Sequence, residues 1–341
     1  MTKRLLAVHH RVLGALSLTL MLVSSWAMAE TWSEPWHREV LEKSDTLALV
    51  KFVELGEESV ELKVLRVLAG EDLPPTIRVQ SPVQIDLTSA SGHRDALIPW
   101  IRDDQSAYVL LSRAGEEWKL LSPSAGIAPL HGADQVAATY RISFHQVVQS
   151  TEDYERLQPC LYRVARHEDC DVAALADLII QPLQEPASGL GPDVSESAVQ
   201  RFFRQHVALE SSYLLRRPLP PAQIEPFLMH DFFHTQISGV RALAVVEGRE
   251  SATRLAEFIK DPTRTGVARA MAVLMLAERG DVSLLQSMRD QTDEIQGLDE
   301  ASQLPLSSIM DPRVGTRFPG TVRLALEYAC TEAFPCSEQG E

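Results

Sequence analysis

The chain has 341 residues, a formal net charge of −15, four Cys and no Asn. Acidic residues outnumber basic ones in both halves, so the basic stripe that phosphate contacts require is missing and nucleic acid is excluded as a partner. The absence of Asn excludes N-glycosylation, and among basic residues Lys occurs 6 times against 26 Arg, a bias associated with GC-rich bacterial genomes.

Residues 1–29 read as a cleavable secretory signal. Lys3, Arg4 and Arg11 are a positive leader, Val12 to Val23 is an uncharged apolar run, and Ala27, Met28 and Ala29 put small residues before Glu30. The run is shorter than the roughly 20 residues of a membrane-spanning helix, so no anchor is expected after cleavage. Cleavage removes three positive charges and moves the net charge from −15 to −18. The expected destination is the bacterial periplasm or the extracellular medium.

Residues 30–150 favour strands. Thr46 to Val53 is rich in apolar residues, a charged turn holds Gly56, and Val60, Leu62 and Val64 then alternate with Glu61 and Lys63, the pattern of a hairpin with one buried face. Ile77 and Val79 follow the Pro74–Pro75 break, Tyr108 to Leu111 is another apolar run, and Trp118 to Leu121 return after Gly115. Short strands at this spacing predict a small antiparallel β-barrel or sandwich.

Helical periodicity is expected from about residue 144, with a connector over 151–197 whose stretch from Pro182 to Ser197 is rich in Pro and Gly and marks a domain boundary. Four Cys in an exported chain predict two disulfides. Three pairings are possible; closeness in sequence favours Cys160 with Cys170 and Cys330 with Cys336. Beyond the connector Val199, Phe202, Phe203, His206, Tyr213 and Leu214 fall on one helical face.

Over 198–336 three segments begin alike: Gly239-Val240-Arg241-Ala242-Leu243, Gly266-Val267-Ala268-Arg269-Ala270 and Thr321-Val322-Arg323-Leu324-Ala325. Arg241 and Arg269 are 28 residues apart, and Arg269 and Arg323 are 54 apart, close to two such periods. Helical pairs of this length bury their apolar faces by stacking on neighbours. The residues from Gly239 to Asp290 resemble HEAT-type repeats of the short kind, a family of binding scaffolds with no shared catalytic residues. Pro305, Pro312 and Pro319 interrupt that pattern. Val64 to Gly70 with Thr76 to Val79 resembles an OB-like or netrin-like barrel of exported bacterial proteins, with Ala69 where that pattern carries Lys.

Three constellations carry possible chemistry. His230 and His234, four apart on an expected helix, with Glu257 and Asp261, are similar to the zinc metallopeptidase pattern, but Asp231 stands where the general-base Glu would be. Ser91, His93 and Asp95 are triad residue types crowded on one loop, whereas a triad is assembled from separated positions. His167, Glu168, Asp169 and Asp171 could hold a cation, though a charge run beside a disulfide is ordinarily a solvated loop. Gly189 and Gly191 sit beside prolines and make no phosphate loop. His206 reads as a hydrogen-bonded core residue.

The expectation is therefore an exported α+β protein with no catalytic residues, cofactor or metal, binding a protein or cell-envelope partner through its β-domain and repeat surface. The alternative is a zinc-dependent hydrolase centred on His230 and His234.

Overall fold

A computed structural model describes residues 32–33, 35–55, 59–80, 104–121, 126–141, 146–191, 194–300, 314–315, 318–329 and 331. The expected signal at 1–29, the residues Ser91, His93 and Asp95, and the expected Cys330–Cys336 pair lie outside them. The protein is α+β, a closed β-barrel followed by helices. A two-residue strand β1 (Trp32–Ser33) and helix α1 (His37–Lys43) precede β2 (Thr46–Leu55), β3 (Ser59–Gly70), β4 (Thr76–Gln80), β5 (Ser106–Ala114) and β6 (Glu117–Leu120).

Those last five strands make a barrel and not a sandwich, because β2 pairs antiparallel with both β3 and β5 while β4 meets β6 in parallel, giving the closed order β2-β3-β4-β6-β5. Closure demands strong bending of β2, and its register against β3 shifts at Leu47/Ala48, Leu49/Val50 and Phe52/Glu54; such bulges bend a strand and increase its twist. The alternation read in β3 is real, with Val60 and Leu62 buried and Lys63 exposed. Gly70 closes the far end at φ +91°, where an added Cβ would lie 2.2 Å from the Asp45 carbonyl oxygen, a place only Gly can occupy.

The apolar run of β5 is explained by burial on both faces. Ala107, Val109 and Leu111 fill the barrel with Val50, Phe52, Leu62 and Trp118, whereas Tyr108 and Leu110 belong to a second core shared with the helices. Beyond β5 the sheet continues through β7 (Ile127–His131) and β8 (Gln135–Thr139) to β9 (Gln146–Ser150). The helical pattern expected from residue 144 is thus a strand at first. Val147 and Val148 favour that strand, and helix α2 (Thr151–Ala165) begins only where the Ser150 hydroxyl accepts the N–H of Asp153 at 3.1 Å.

A 3-10 turn (Val172–Leu175), helix α3 (Ala176–Ile179) and a second 3-10 turn (Gln181–Gln184) form the connector, followed by α4 (Glu196–Leu214), α5 (Pro221–Leu228), α6 (Phe233–Ala244), α7 (Arg249–Lys260), α8 (Gly266–Glu278), α9 (Val282–Asp290) and α10 (Val322–Tyr328). Cys160 and Cys170 form a disulfide that ties α2 to the start of the connector, with Cα atoms 5.5 Å apart. Helix α6 packs on α4 and α8, and α8 packs on α10. From Gly266 to Ala277 every residue of α8 is buried, as the continuous apolar character of that segment requires. No helix among the described residues is long and apolar enough to cross a membrane.

The three repeated arginines do different work. Arg241 is buried against Glu210, and Arg269 donates to the carbonyls of Ile259, Gln296 and Gly297 at 2.7, 2.6 and 3.1 Å. Arg323 pairs with Asp299 at 2.7 Å on the surface. Two of the three therefore pin their helix to a neighbouring backbone or helix from inside the core. One apolar cluster runs from Leu47, Tyr108 and Val136 through α2 and the connector to Met275 and Leu326, passing across the expected boundary without a break.

Candidate functional site

The sequence pattern of α4 divides into two stripes with different destinations. Phe202, His206, Leu209 and Tyr213 are buried, whereas half-buried Val199 and Phe203 line a cleft that core residue Val207 also borders, so the single face read from the sequence meets both the core and the cleft. The cleft has a volume of 1130 Å³. Its opposite wall is Val148, Gln149 and Ser150 of β9 with Asp153 at the start of α2, and its floor is the connector from Asp177 to Glu185. Both halves of the protein contribute walls, a usual position for ligand clefts.

The floor is held by one buried side chain. Gln205 donates through Nε2 to the carbonyls of Pro182, Glu185 and Pro186 at 3.2, 3.2 and 3.0 Å and accepts the N–H of Ser188 at 2.9 Å. A Pro-rich segment offers few N–H groups of its own, and a buried amide facing its carbonyls replaces the missing partners. Further along, Gly189 lets the connector cross the loop before α6, since a Cβ there would lie 2.6 Å from His230 Cε1 and from Phe232 Cβ.

Behind the cleft, on the core side of α4, lies a buried ionic cluster. Glu210 receives Arg241 Nε at 2.6 Å and has Arg141 Nε at 2.8 Å from its other oxygen, all three side chains being sealed from solvent. The Arg141 approach is a charge contact and not an aligned hydrogen bond, and its Nη1 has no hydrogen-bond partner among the described residues. Arg141 Nη2 donates to Ser238 Oγ at 3.1 Å and lies 3.2 Å from His206 Nδ1. Arg241 stacks over the Tyr213 ring at 3.9 Å and lies 5.3 Å from that of Trp36. Tyr213 in turn donates to Glu278 at 2.5 Å, and Arg38 pairs with Glu278 at 2.6 Å.

Burial dominates the proton affinities in this cluster. It lowers Arg141 to about 10, with Glu210 opposing and Arg241 adding to the fall. Burial, then Arg141, holds both His206 and His234 well below the usual imidazole range, so both are neutral at pH 7. Burial also works against the charge of Arg241, but Glu210, Tyr213 and Glu278 outweigh it and keep the guanidinium above its ordinary value. Ser238, His206 and Glu210 are the residue types of a nucleophile triad, and Ser238 Oγ lies 3.2 Å from both His206 Nδ1 and Glu210 Oε1. The His does not bridge the other two, and no substrate reaches groups this buried.

The residues of the hydrolase alternative are not brought together. His230 precedes α6, in the loop over the connector, where its Nδ1 accepts the N–H of Phe232 at 2.9 Å; only His234 is helical. The four-residue spacing therefore does not place both imidazoles on one helix face, because Phe232 is extended and starts the helix after His230. Glu257 faces a different groove on α7, paired with Arg254 at 3.2 Å. Asp261 closes the turn after α7 by accepting from Thr263 and Arg264. His167, Glu168 and Asp169 are exposed after α2, and Asp171 caps the following turn through the N–H of Ala174. Among the described residues no three His, Cys, Asp or Glu side chains converge as a metal site.

Sequence reasoning missed Arg141 and Glu210. The one local signal was a Glu four residues after His206 on an otherwise apolar face. In comparison with known proteins, the chain matches no family model, no curated protein and no solved structure.

Proposed function

We propose that this is an exported, non-catalytic binding protein of the bacterial envelope that receives a partner in the cleft between β9 and α4. The observation that carries this reading is the cleft itself, a 1130 Å³ hollow whose walls come from the barrel extension, the connector and the first long helix. The barrel order β2-β3-β4-β6-β5, with its parallel β4–β6 pair, supports an OB-like module. The packing of α4, α6, α8 and α10 side by side, with a buried Arg in each of α6 and α8, supports a HEAT-like array. Both families use such surfaces for binding.

The test is a photo-cross-linking amino acid at exposed Gln200 in the cleft, with a second probe at exposed Val53 on the barrel as control, each added to envelope extract as the mature disulfide-intact chain. A discrete adduct from position 200 and not from position 53 is expected. Equal labelling from both, or none from position 200, would overturn the assignment of this cleft.

A further inference from the structure

The strand wall of the cleft is a row of side chains. His131 of β7 is in register with Gln135 of β8, and Gln135 with Ser150 of β9. Residues opposed in this way share a face of the sheet, and all three line the cleft, together with Val148 two residues before Ser150. Gln149 turns to the other face, where its Nε2 donates to the Tyr140 hydroxyl at 2.6 Å. On the facing wall α4 interleaves Glu196 and Gln200 with Val199 and Phe203 at helical spacing, and the floor adds Gln181 and Gln184.

Gln135, Gln181, Gln184 and Gln200 are exposed, and an amide offers two donors and an acceptor without carrying charge. A ligand rich in hydroxyls, each of which also donates and accepts, is the complement of such a lining. Half-buried Phe203 supplies an apolar ring beside Val199, and the negative face of that ring attracts the polarised C–H bonds of a sugar. Charge narrows the choice further. Asp153, Asp177, Glu185 and Glu196 come from both walls and the floor, and Arg204, the one arginine in the lining, lies 3.1 Å from Glu185; an acidic chain would be repelled. Among the described residues no three carboxylates converge as a cage for a cation, which leaves them as spaced acceptors for hydroxyls. The volume of 1130 Å³ exceeds the roughly 300 to 1,000 Å³ of ordinary small-molecule pockets, and the stripe of α4 from Glu196 to Val207 runs for about 17 Å. Both suit an elongated ligand of several rings.

We infer that the cleft takes a segment of an uncharged glycan chain, with one sugar ring stacked on Phe203 and its neighbours held by the amides and carboxylates of the two walls and the floor. This rests on the cleft being the binding site, and it names the chemistry of the occupant. Phe203 and Val199 supply the apolar contact, the glutamines and Ser150 read the hydroxyls, and the carboxylates reject acidic chains.

The test applies the full mature chain, disulfide intact, to an immobilised panel of neutral, amino-bearing and uronic-acid oligosaccharides, and then measures the affinity of the best binder by calorimetry. A neutral chain of several rings should bind best, with an affinity that changes less than about twofold between low salt and about 1 M salt. Uronic-acid chains should bind at least about tenfold more weakly. Phe203→Ala should weaken the neutral chain about tenfold. Should that variant unfold, the exposed double change Gln181→Ala, Gln200→Ala serves instead, with a loss of similar size. A preference for amino-bearing chains that collapses in salt would overturn the uncharged class, and glycan binding that neither variant weakens would overturn the placement in this cleft. If no glycan binds yet the probe at position 200 is labelled, the glycan inference falls and the cleft assignment stands; if neither occurs, both fall.

Discussion

Replacing Glu210 by Gln keeps the shape of the side chain and removes the one carboxylate between two buried guanidiniums. Arg141 and Arg241 would then face each other with no counter-charge in the core. Even with Glu210 present, burial lowers Arg141 from its ordinary value to about 10, so the charged form, although still the one present at pH 7, is destabilised by about 3 kcal/mol. Removing the partner of a buried ion pair costs about 3 to 5 kcal/mol, because the remaining charges stay desolvated. Against a typical total stability of about 5 to 15 kcal/mol, the expected loss for Glu210→Gln is a fifth or more. Urea denaturation at pH 7 followed by far-UV circular dichroism measures it, with an unchanged slope required for the comparison. The companion double variant Glu210→Gln, Arg141→Met should recover a large part of the loss, since it removes one of the two uncompensated charges. A loss under about 1 kcal/mol for Glu210→Gln, or no recovery in the double variant, would refute the claim that unpaired burial dominates this cluster.

Other outcomes follow from the same structure. His206 and His234 are held below their ordinary value of 6.5 by burial, so the unfolded chain takes up protons that the folded chain does not as pH falls through 6.5. Stability should be level in this respect above that pH and decline below it by about 1.4 kcal/mol per unit for each group, a slope that His206→Gln should reduce in a urea series between pH 7 and 5. Peptide mapping of nonreduced protein should recover Cys160 joined to Cys170, and the double Ala variant should be less stable by roughly 2 to 3 kcal/mol for a loop of this length. Leu274→Asp puts a charge into fully buried α8, at a cost of several kcal/mol. Because the second core is continuous from Leu47 to Leu326, limited proteolysis of that variant should degrade the whole chain at one rate; a protected fragment ending near residue 180 would show that the halves unfold independently.

What could be read from the sequence was whatever a local pattern determines. The hairpin of β2 and β3 is legible because Val60 and Leu62 alternate with charged residues, and Cys160 with Cys170 because ten residues separate them. The choice of barrel over sandwich is not local, since it depends on β2 pairing with β5 across some 60 residues. His230 and His234 misled for a related reason: spacing implies a shared helix face only if the helix includes both residues, and the turn through Phe232 excludes the first. The ionic cluster draws on residues 141, 206, 210, 238 and 241, a set that no sequence window contains. Even α4, whose apolar residues were legible, hid the fact that Val199 and Phe203 border a cleft while Phe202 and His206 are buried.

That division of α4 gives the buried charges a role that apolar packing would not supply. Apolar contacts are non-directional, so a helix held by them alone tolerates small rotations about its axis at little cost. Glu210 is fixed from two sides, by Arg141 from the strand side and Arg241 from α6, while one turn earlier Gln205 holds the connector carbonyls. Directional bonds at both positions fix the rotation of α4, and with it the angle at which Val199, Phe203 and Val207 face β9. A cleft whose two walls are set before a ligand arrives avoids the ordering cost of binding. The desolvation cost of the cluster is therefore coupled to the geometry of the cleft: if the cleft binds as proposed, variants that loosen Glu210 or Gln205 should weaken that binding as well as the fold, although neither residue lines the cleft.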